Sequence, residues 1–403
     1  MERIKNQTHN IDTVLYATSR TLERASYYGV RSLIVLYMIG EVLKMSTTDA
    51  LSVYGWFTAS LFFSQIIGAI LGDLLIGNKK AVIIGGLIQA LGAFSFCIPS
   101  TTGLYIGLFL VVFGGGLYTP NIISIFGKLY LNKTKLLDAG FTIFYFAVNI
   151  GAFISVISVG YIGEKYGWNV GFFIAGILML LSIIPILISK NIEFKPFTEN
   201  KTTINQRIIY ISIAIVMVGL FWAIYELGNI RIFDLQLKLS EISTLNIPKS
   251  MWTAINSVIS WPISILVIIL WTFFYNNQFF KLTIGFLFGA ISFGLLFLIP
   301  EFPKEQHTVL YLISLFFLGV SEMHIAPIIY SILTQYTNPK YLAILISLAY
   351  IPSRLFSYIV TLFYEDLYEK PTIAILIGMI AMTILSIGLI LYTQINKKLP
   401  TIL

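Results

Sequence analysis

Long apolar stretches alternate with short polar ones along this chain of 403 residues. About twelve apolar stretches lie between residues 20 and 395, each about the 20 residues that a helix needs to cross a hydrocarbon core about 30 Å thick. The longest polar interruption, 189–206, separates the sixth stretch from the seventh. The pattern predicts an all-α membrane protein with about twelve transmembrane helices in two six-helix halves. These halves are 1–190 and 208–403, and a cytoplasmic linker, 191–207, joins them.

Composition supports this class and argues against others. Hydrophobic residues make up 57% of the chain and charged residues 11%, whereas a soluble domain is about 25% charged. The net charge is +7, but no basic patch with interleaved exposed aromatic residues indicates nucleic-acid binding. With one cysteine, Cys97, and three histidines, neither a disulfide framework nor a metal site nor another cofactor is expected. No serine, histidine and acid lie at a common depth, so an enzyme is not expected either.

The positions of Lys and Arg predict an orientation. If the amino terminus is cytoplasmic, fifteen of the 26 Lys and Arg residues lie in inner segments, Lys128 among them. Seven lie in outer segments, Arg231 among them, and four lie within or at the ends of helices. Cytoplasmic loops of membrane proteins are enriched in these residues. Both termini are therefore predicted to be cytoplasmic. The membrane that we expect is the inner (plasma) membrane of a bacterium or an equivalent energised membrane.

The first apolar stretch, predicted at 20–43, carries a stripe of polar residues. Six of them, spaced so that they share one helix face, are Arg20, Glu23, Arg24, Tyr27, Tyr28 and Arg31. A charge near the bilayer centre costs at least about 2.5–3.5 kcal/mol, so such residues normally face a wet cavity and mark a substrate or ion path. A structural Glu–Arg pair, or arginines that snorkel to the interface, is the alternative.

The second half holds four further polar residues within its apolar stretches: Glu226, Glu322, His324 and Arg354. Glu322 and His324 are two residues apart, so they do not share a helix face. His324 is either a structural histidine or a proton-handling one. Arg354 pairs with one of the two glutamates, binds an anionic substrate, or belongs to a purely structural ion pair.

Two glycine-containing motifs bear on helix packing. The run 114–116 favours close helix packing over a phosphate-binding loop. The loop Gly68–Lys80 resembles the loop motif of the major facilitator superfamily, although Leu74 replaces the usual arginine. Within that loop, Asp73 is suited to cap a helix or to pair across helix ends.

Five ordered motifs resemble those of the proton-dependent oligopeptide transporter family. The first stretch is similar to the family pattern E-x-x-E-R-F-x-Y-Y-G followed by a further arginine. The other four motifs are similar to segments 116–124, 144–151 and 221–226 and to Glu322 with Pro327. The chain is thereby identified as a diverged member of this family.

The resemblance implies a major facilitator fold and an importer that moves peptides by alternating access, with the peptide held between the halves. Arg31 and Glu322 would bind the carboxylate and the amine of a zwitterionic peptide. The partners implied are a small peptide or peptide-like solute, protons and the lipid bilayer. The other residues implied are Tyr28, Tyr145 and Asn149 for the peptide backbone, Trp222, Phe62 and Thr119 for the remaining substrate site, and Glu23, Arg24 and Glu226 for proton coupling.

Four positions depart from the family pattern. The first glutamate is replaced by Arg20, the fourth-helix lysine by Thr119, the second-helix tyrosine by Phe62, and the glutamine after the seventh-helix acid by Leu227. The replacements lose one Glu and one Lys and gain one Arg, so the predicted cavity is about one charge unit more positive than in the family pattern. Two alternatives follow: a diverged transporter of an anionic non-peptide solute, or a transporter-derived membrane subunit that binds a protein partner without turnover.

Overall fold

A computed structural model describes residues 2–3, 8–190, 202–244, 252 and 255–398. Most of the predicted linker, 191–201, lies outside the described residues. A two-residue antiparallel pair joins β1 (Glu2–Arg3) to β2 (Phe274–Tyr275). The helices are α1 (Ile11–Ile39), α2 (Thr47–Ile70), α3 (Asn78–Ser95), α4 (Thr101–Lys128), α5 (Leu137–Ser155), α6 (Trp168–Ile188), α7 (Ile204–Ile242), α8 (Ile255–Phe273), α9 (Gln278–Phe297), α10 (His307–Tyr336), α11 (Leu342–Leu348), α12 (Tyr350–Leu362), α13 (Tyr364–Glu369) and α14 (Pro371–Lys398).

Two helices are extended by π-helical turns. A turn over Leu71–Ile76 continues α2 and ends at Gly77, whose φ of 84° is readily adopted only by glycine. A second turn, Val156–Tyr161, continues α5 into the short helical segment Ile162–Tyr166. Short 3₁₀ turns, Thr134–Leu136 and Pro339–Tyr341, precede α5 and α11.

The predicted all-α membrane class is confirmed. Within the described part of the chain, nine helices, some counted with their flanking turns, are long and apolar enough to cross a membrane. The shorter apolar helix Val258–Phe273, together with α1 and α3, overlaps the other predicted stretches. Polar side chains lower the mean hydropathy of α1 and α3, which is why length and hydropathy alone do not select them.

Helix α1 begins at Ile11, before the predicted apolar stretch 20–43. Its first two turns mix apolar residues with Asp12 and Thr13; Thr13 shares a hydrogen bond of 2.8 Å with the Tyr130 hydroxyl, and Tyr16 is fully buried. These partners allow the helix to begin before the apolar stretch does. As a result, Arg20 and Glu23 lie near the middle of α1 and not at its start.

The chain divides into two compact units. The N-terminal unit comprises Thr8–Arg207 and Leu333–Leu348, so it holds α1 to α6 together with α11. The C-terminal unit comprises Ile208–Ile332 and Ala349–Leu403, with the first seven residues. Each unit has its own buried core.

Glycines let the helices of the N-terminal unit approach closely. A Cβ atom at Gly114 would lie 2.6 Å from the main-chain oxygen of Gly85 on α3, and one at Gly116 would lie 2.3 Å from that of Ser64 on α2. Any side chain at these two positions of α4 would push the helices apart. The packing role predicted for the glycine run is therefore confirmed.

In the C-terminal unit, α9 and α14 pack against each other. The buried ring of Phe293 on α9 fills the space left by Gly228 on α7 and Gly378 on α14, since a Cβ atom at either glycine would lie within 2.5 Å of that ring. Trp271 at the end of α8 is also fully buried.

Candidate substrate and proton sites in the two units

The mid-helix position of α1 is set by close contact with α5. A Cβ atom at Gly151 would lie 2.5 Å from the main-chain oxygen of Thr21 and 2.7 Å from the Cβ of Arg24. The Thr21 hydroxyl also donates a hydrogen bond of 3.1 Å to the carbonyl of Ala147. Glycine at 151 therefore brings the charged stripe of α1 against α5.

Glu23 is the centre of the charged stripe, and its side chain has no exposed surface. Arg24 grips the carboxylate with two nitrogens, Nε at 2.7 Å from Oε2 and Nη2 at 2.5 Å from Oε1. Nη1 of Arg20 donates a further hydrogen bond of 3.0 Å to Oε2. Both oxygens thus have charge-assisted bonds, which satisfies a carboxylate that could not otherwise remain ionised in an apolar setting.

Arg24 links this carboxylate to α4 and to two aromatic rings. Its Nη2 donates to the Thr119 hydroxyl at 3.2 Å. Its guanidinium carbon lies 4.6 Å from the ring centre of Tyr27 and 5.4 Å from that of Tyr28. The ring faces stabilise the cation, so Arg24 is held on several sides.

Arg20 joins the same cluster and is not a helix cap. Only 6% of its side chain is exposed, and its guanidinium carbon lies 5.5 Å from the ring centre of Phe144 on α5. Its Nε is buried without a hydrogen-bond partner among the described residues. The cluster therefore contains two guanidinium groups and one carboxylate, which leaves it one unit positive.

Arg31 lies further along α1 and has a different partner. Its Nε and Nη2 donate to the Tyr54 hydroxyl on α2 at 3.0 and 2.7 Å. The guanidinium also lies 5.8 Å from the ring centre of Tyr27. Sequence reasoning did not select Tyr54, and its helix gave no polar stripe that would have pointed to it.

The remaining site residues predicted in the N-terminal unit lie on α1, α2, α4 and α5. Thr119 is buried and bound to Arg24. Phe62 packs edge-on against Phe63, with 5.4 Å between ring centres. Four of the candidates are partly buried: Tyr28, Phe62, Tyr145 and Asn149. Of the site residues predicted in this half, hydrogen bonds bring together Arg20, Glu23, Arg24 and Thr119.

In the C-terminal unit, α7 carries Trp222 and Glu226, both partly buried. Trp222 packs against Tyr225 and Phe221, with ring centres 5.4 and 5.3 Å apart. The Glu226 carboxylate forms no hydrogen bond or ion pair within the described ranges of the chain. Glu226 is thus partly exposed and is not held by an arginine of the described chain, in contrast to Glu23.

Two other candidates of this unit lie on α10. Glu322 is partly buried, while His324 is buried. Nδ1 of His324 donates to the carbonyl of Val320 at 2.8 Å, and the ring meets Trp271 edge-on at 5.7 Å. Arg354 on α12 is exposed, and no ion pair joins it to Glu226 or Glu322 where the structure describes the chain.

Sequence reasoning missed a buried ion pair on α7. Arg231, which the apolar pattern assigned to an outer loop, is fully buried within the 39-residue helix. Its Nη1 donates to Asp234 at 2.7 Å, and its Nη2 donates to the carbonyl of Ile299 at 2.6 Å. Lys238 contacts the other oxygen of Asp234 at 2.7 Å. The signal was the helical spacing of these three charges, which continues past residue 228.

A second missed set surrounds Asp73 at the end of α2. Its carboxylate accepts the backbone N–H of Ile344 in α11 at 3.0 Å and the side-chain amide of Asn78 at 2.8 Å. Nζ of Lys128, at the end of α4, lies 3.8 Å from Asp73 and 2.7 Å from the Asn78 side-chain oxygen. The helix-capping and pairing role predicted for Asp73 is confirmed, and the lysine predicted for a loop is buried.

A buried lysine also stands beside an aromatic ring in the C-terminal unit. Nζ of Lys281 lies 4.1 Å from the ring centre of Trp271. Within the ranges that the structure describes, no group of three or more His, Cys, Asp or Glu side chains could hold a metal ion.

Comparison with known proteins gives the relatives of this chain. The model of the POT family matches residues 79–218. Dipeptide and tripeptide permease A of Pectobacterium carotovorum subsp. carotovorum (strain PC1) is 28% identical over 215 residues, which are 52% of this chain and 42% of the permease. The uncharacterized transporter YclF of Bacillus subtilis (strain 168) is 34% identical over 170 residues, 40% of this chain and 34% of that protein. The aligned stretches thus span less than half of these relatives.

Solved structures share the fold over nearly the whole chain. A POT family transporter in complex with a thioalcohol-conjugated peptide has a TM-score of 0.65 at 19% identity, covering 98% of both chains. A mutant of the peptide transporter POT has a TM-score of 0.63 at 22% identity, covering 98% of this chain and 96% of the other. These findings confirm the predicted resemblance to the POT family, and the chain has the fold of the POT transporters.

Proposed function

We propose that the chain is a secondary active transporter that moves small peptides or peptide-like solutes by alternating access, coupled to protons. The observation that carries this proposal is the charged stripe buried in the middle of α1, beside Tyr28 and Thr119. Burying that many charges in a membrane helix is costly and is typical of a substrate or ion path. The permease relatives and the peptide-bound structure support a peptide as substrate.

We assign a role to each proposed site residue from the charge and polarity of its side chain. Arg31, held by Tyr54, would bind the peptide carboxylate, and Glu322 would bind its amine. Tyr28, Tyr145 and Asn149 would hydrogen-bond the peptide backbone, while Trp222 and Phe62 would contact its side chains. Glu226 and the Glu23–Arg24 pair are the groups proposed for proton coupling. His324, hydrogen-bonded within its own helix, fits a structural role.

The proposal extends to organisation and location. We place the two halves at 1–190 and 208–403, and we place the protein in an energised bacterial inner membrane with both termini cytoplasmic. The excess of Lys and Arg in the inner segments supports that orientation.

The experiment is uptake of labelled dialanine into proteoliposomes, with and without an inward proton gradient. Wild type and Glu322→Gln are compared, with Glu164→Gln as a matched control, because Glu164 is exposed outside the proposed site. We expect the gradient to drive accumulation in wild type and in the control, and Glu322→Gln to abolish it. Absence of both accumulation and peptide counterflow in wild type would rule out dipeptide transport.

One observation favours a second candidate, an anionic non-peptide solute. The α1 cluster is one unit positive, because Arg20 and Arg24 face a single carboxylate. Competition separates the two: inhibition of uptake by carboxylates that lack an amino group favours the anion, whereas inhibition by dipeptides alone favours the peptide. A stable protein that co-purifies with a chain inactive in transport would instead support a non-transporting subunit.

A further inference from the structure

Arg20 occupies a place at the Glu23 carboxylate that a proton would otherwise take. Oε2 of Glu23 accepts from both Arg20 and Arg24, and Oε1 accepts from Arg24. The carboxylate is fully buried, so water does not compete for these oxygens. A proton on either oxygen would displace a bond to a guanidinium, which remains charged at all ordinary pH values.

Among the described residues of the N-terminal unit, no second acid forms an ion pair with this cluster. The groups that interact electrostatically with Glu23 include Arg20 and Arg24 from α1 itself and Tyr118 from α4, and the rings of Tyr27 and Tyr28 lie against Arg24. Tyr118 is engaged with Ser19 at 2.6 Å. From α5 the cluster meets the ring of Phe144, and α6 contributes a main-chain carbonyl that binds Ser19.

The net charge of the cluster also opposes protonation of Glu23. An acid beside a single arginine forms a neutral pair and becomes one unit positive when it takes up a proton. The cluster here is already one unit positive, with two guanidinium groups and one carboxylate. A further proton would raise it to two units in a buried site, which the low dielectric opposes.

We propose that Arg20 is a positioning residue that removes Glu23 from proton coupling, by giving the cluster a permanent positive charge in place of a transferable proton. The proposal rests on the proposed transport function and changes it at one point: Glu23 is withdrawn from the groups proposed above for proton coupling, and Glu226 remains. The proton-dependent step then belongs to the C-terminal unit, where Glu226 is partly exposed and has no such partner. Arg24 and Glu23 remain as a fixed support for the aromatic residues Tyr27 and Tyr28.

The first experiment is the pH profile of labelled dialanine counterflow at equal pH on both sides, measured in a Glu226→Gln background. In that background we expect a rate that varies by less than about twofold between about pH 5.5 and 8. Adding Arg20→Gln should create a pH dependence of at least about fivefold, because a single titrating group then governs the site. Arg20→Lys, which retains the charge, should stay flat. A flat profile for Arg20→Gln would overturn the proposal.

A second experiment needs no transport. Infrared difference spectra of the purified full chain between the same two pH values report a protonated carboxyl group, and a band lost in Glu23→Gln belongs to Glu23. We expect no such band in wild type and its appearance in Arg20→Gln, or in Arg20→Met should the glutamine variant not fold. A Glu23 band in wild type would refute the role of Arg20, while absence of any counterflow in wild type would refute only the transport function.

Discussion

Glu23 in the N-terminal unit and Glu226 in the C-terminal unit are both acids within membrane-spanning helices, yet their surroundings differ. Glu23 is fully buried and is bound by two arginines. Glu226 is partly exposed and is bound by no described side chain. A buried charge persists only with partners that compensate its lost hydration, whereas a partly hydrated acid can gain and lose a proton. The comparison shows that the acid with the more conspicuous sequence motif is the one held by two arginines, and for that reason we propose that Glu226 carries the proton.

The largest expected effect is on accumulation driven by a proton gradient. One pH unit is worth about 1.4 kcal/mol for each proton, which supports about tenfold accumulation of a co-transported solute. Glu226→Gln should abolish that accumulation and preserve counterflow, because counterflow needs no net proton movement. Uptake of labelled dialanine by proteoliposomes at a fixed inward gradient measures this. Full accumulation by Glu226→Gln would contradict the proposed role of Glu226 in proton coupling.

The next largest effect is on stability. Glu23→Gln leaves two buried guanidinium groups without a carboxylate, and removing one partner of a buried pair costs about 3–5 kcal/mol. Glu226→Gln removes no bond and should change stability by less than about 1 kcal/mol. Unfolding of both variants in the same detergent by a chemical denaturant compares them directly. Equal losses in the two variants would contradict the difference in pairing.

A smaller loss is expected at the ion pair of α7, which shows that the C-terminal unit also stabilises a buried charge where it has partners. Arg231→Gln removes the bonds to Asp234 and to the carbonyl of Ile299. Asp234 is 22% exposed and keeps Lys238, so the cost should be about 2–3 kcal/mol, below that of breaking a fully buried pair. The same denaturation assay measures it, and the pH profile of counterflow should be unchanged.

The smallest effect concerns His9, a group outside the membrane that can titrate. Burial, and then the nearby charge of Lys133, lower the pKa of His9 below its ordinary value, and its Nδ1 lies 2.8 Å from the Tyr130 hydroxyl. Because the pKa of His9 is lower in the folded chain, the unfolded chain binds the proton more readily. The contribution of neutral His9 to the free energy of unfolding is therefore present above about pH 6.5 and is lost as the pH falls through that value. Wild type should therefore lose more stability than His9→Gln on going from about pH 7.5 to 5.5. An equal loss in thermal unfolding midpoints would show that His9 does not contribute.

Much of the fold was predictable, because the length of the apolar stretches follows from the cost of exposing polar groups to lipid. The charged stripe was visible from its spacing alone. The interaction of Arg20 with the Glu23 carboxylate could not be predicted, because the direction of the Arg20 side chain depends on Phe144 of α5, more than 120 residues away in the sequence. Arg231 was missed since the apolar run ends near residue 228 while the helix continues to Ile242.

Two further residues show why the detailed site could not be derived from sequence. Arg31 meets Tyr54 on a different helix, so neither local pattern contains the pair. Lys128 was predicted to lie in a loop, but its Nζ lies 2.7 Å from the Asn78 side-chain oxygen and 3.8 Å from Asp73, so the buried lysine has partners. In each case a contact distant in sequence decides the environment of a charge.

The most direct test of the central claim is gradient-driven accumulation of labelled dialanine by the double variant Arg20→Gln/Glu23→Gln beside Glu226→Gln. The double variant removes one charge of each sign and keeps the cluster one unit positive through Arg24. We expect it to accumulate the peptide in response to the proton gradient, as wild type does, while Glu226→Gln accumulates none. Accumulation by Glu226→Gln together with its loss in the double variant would place the proton at Glu23 and contradict the account.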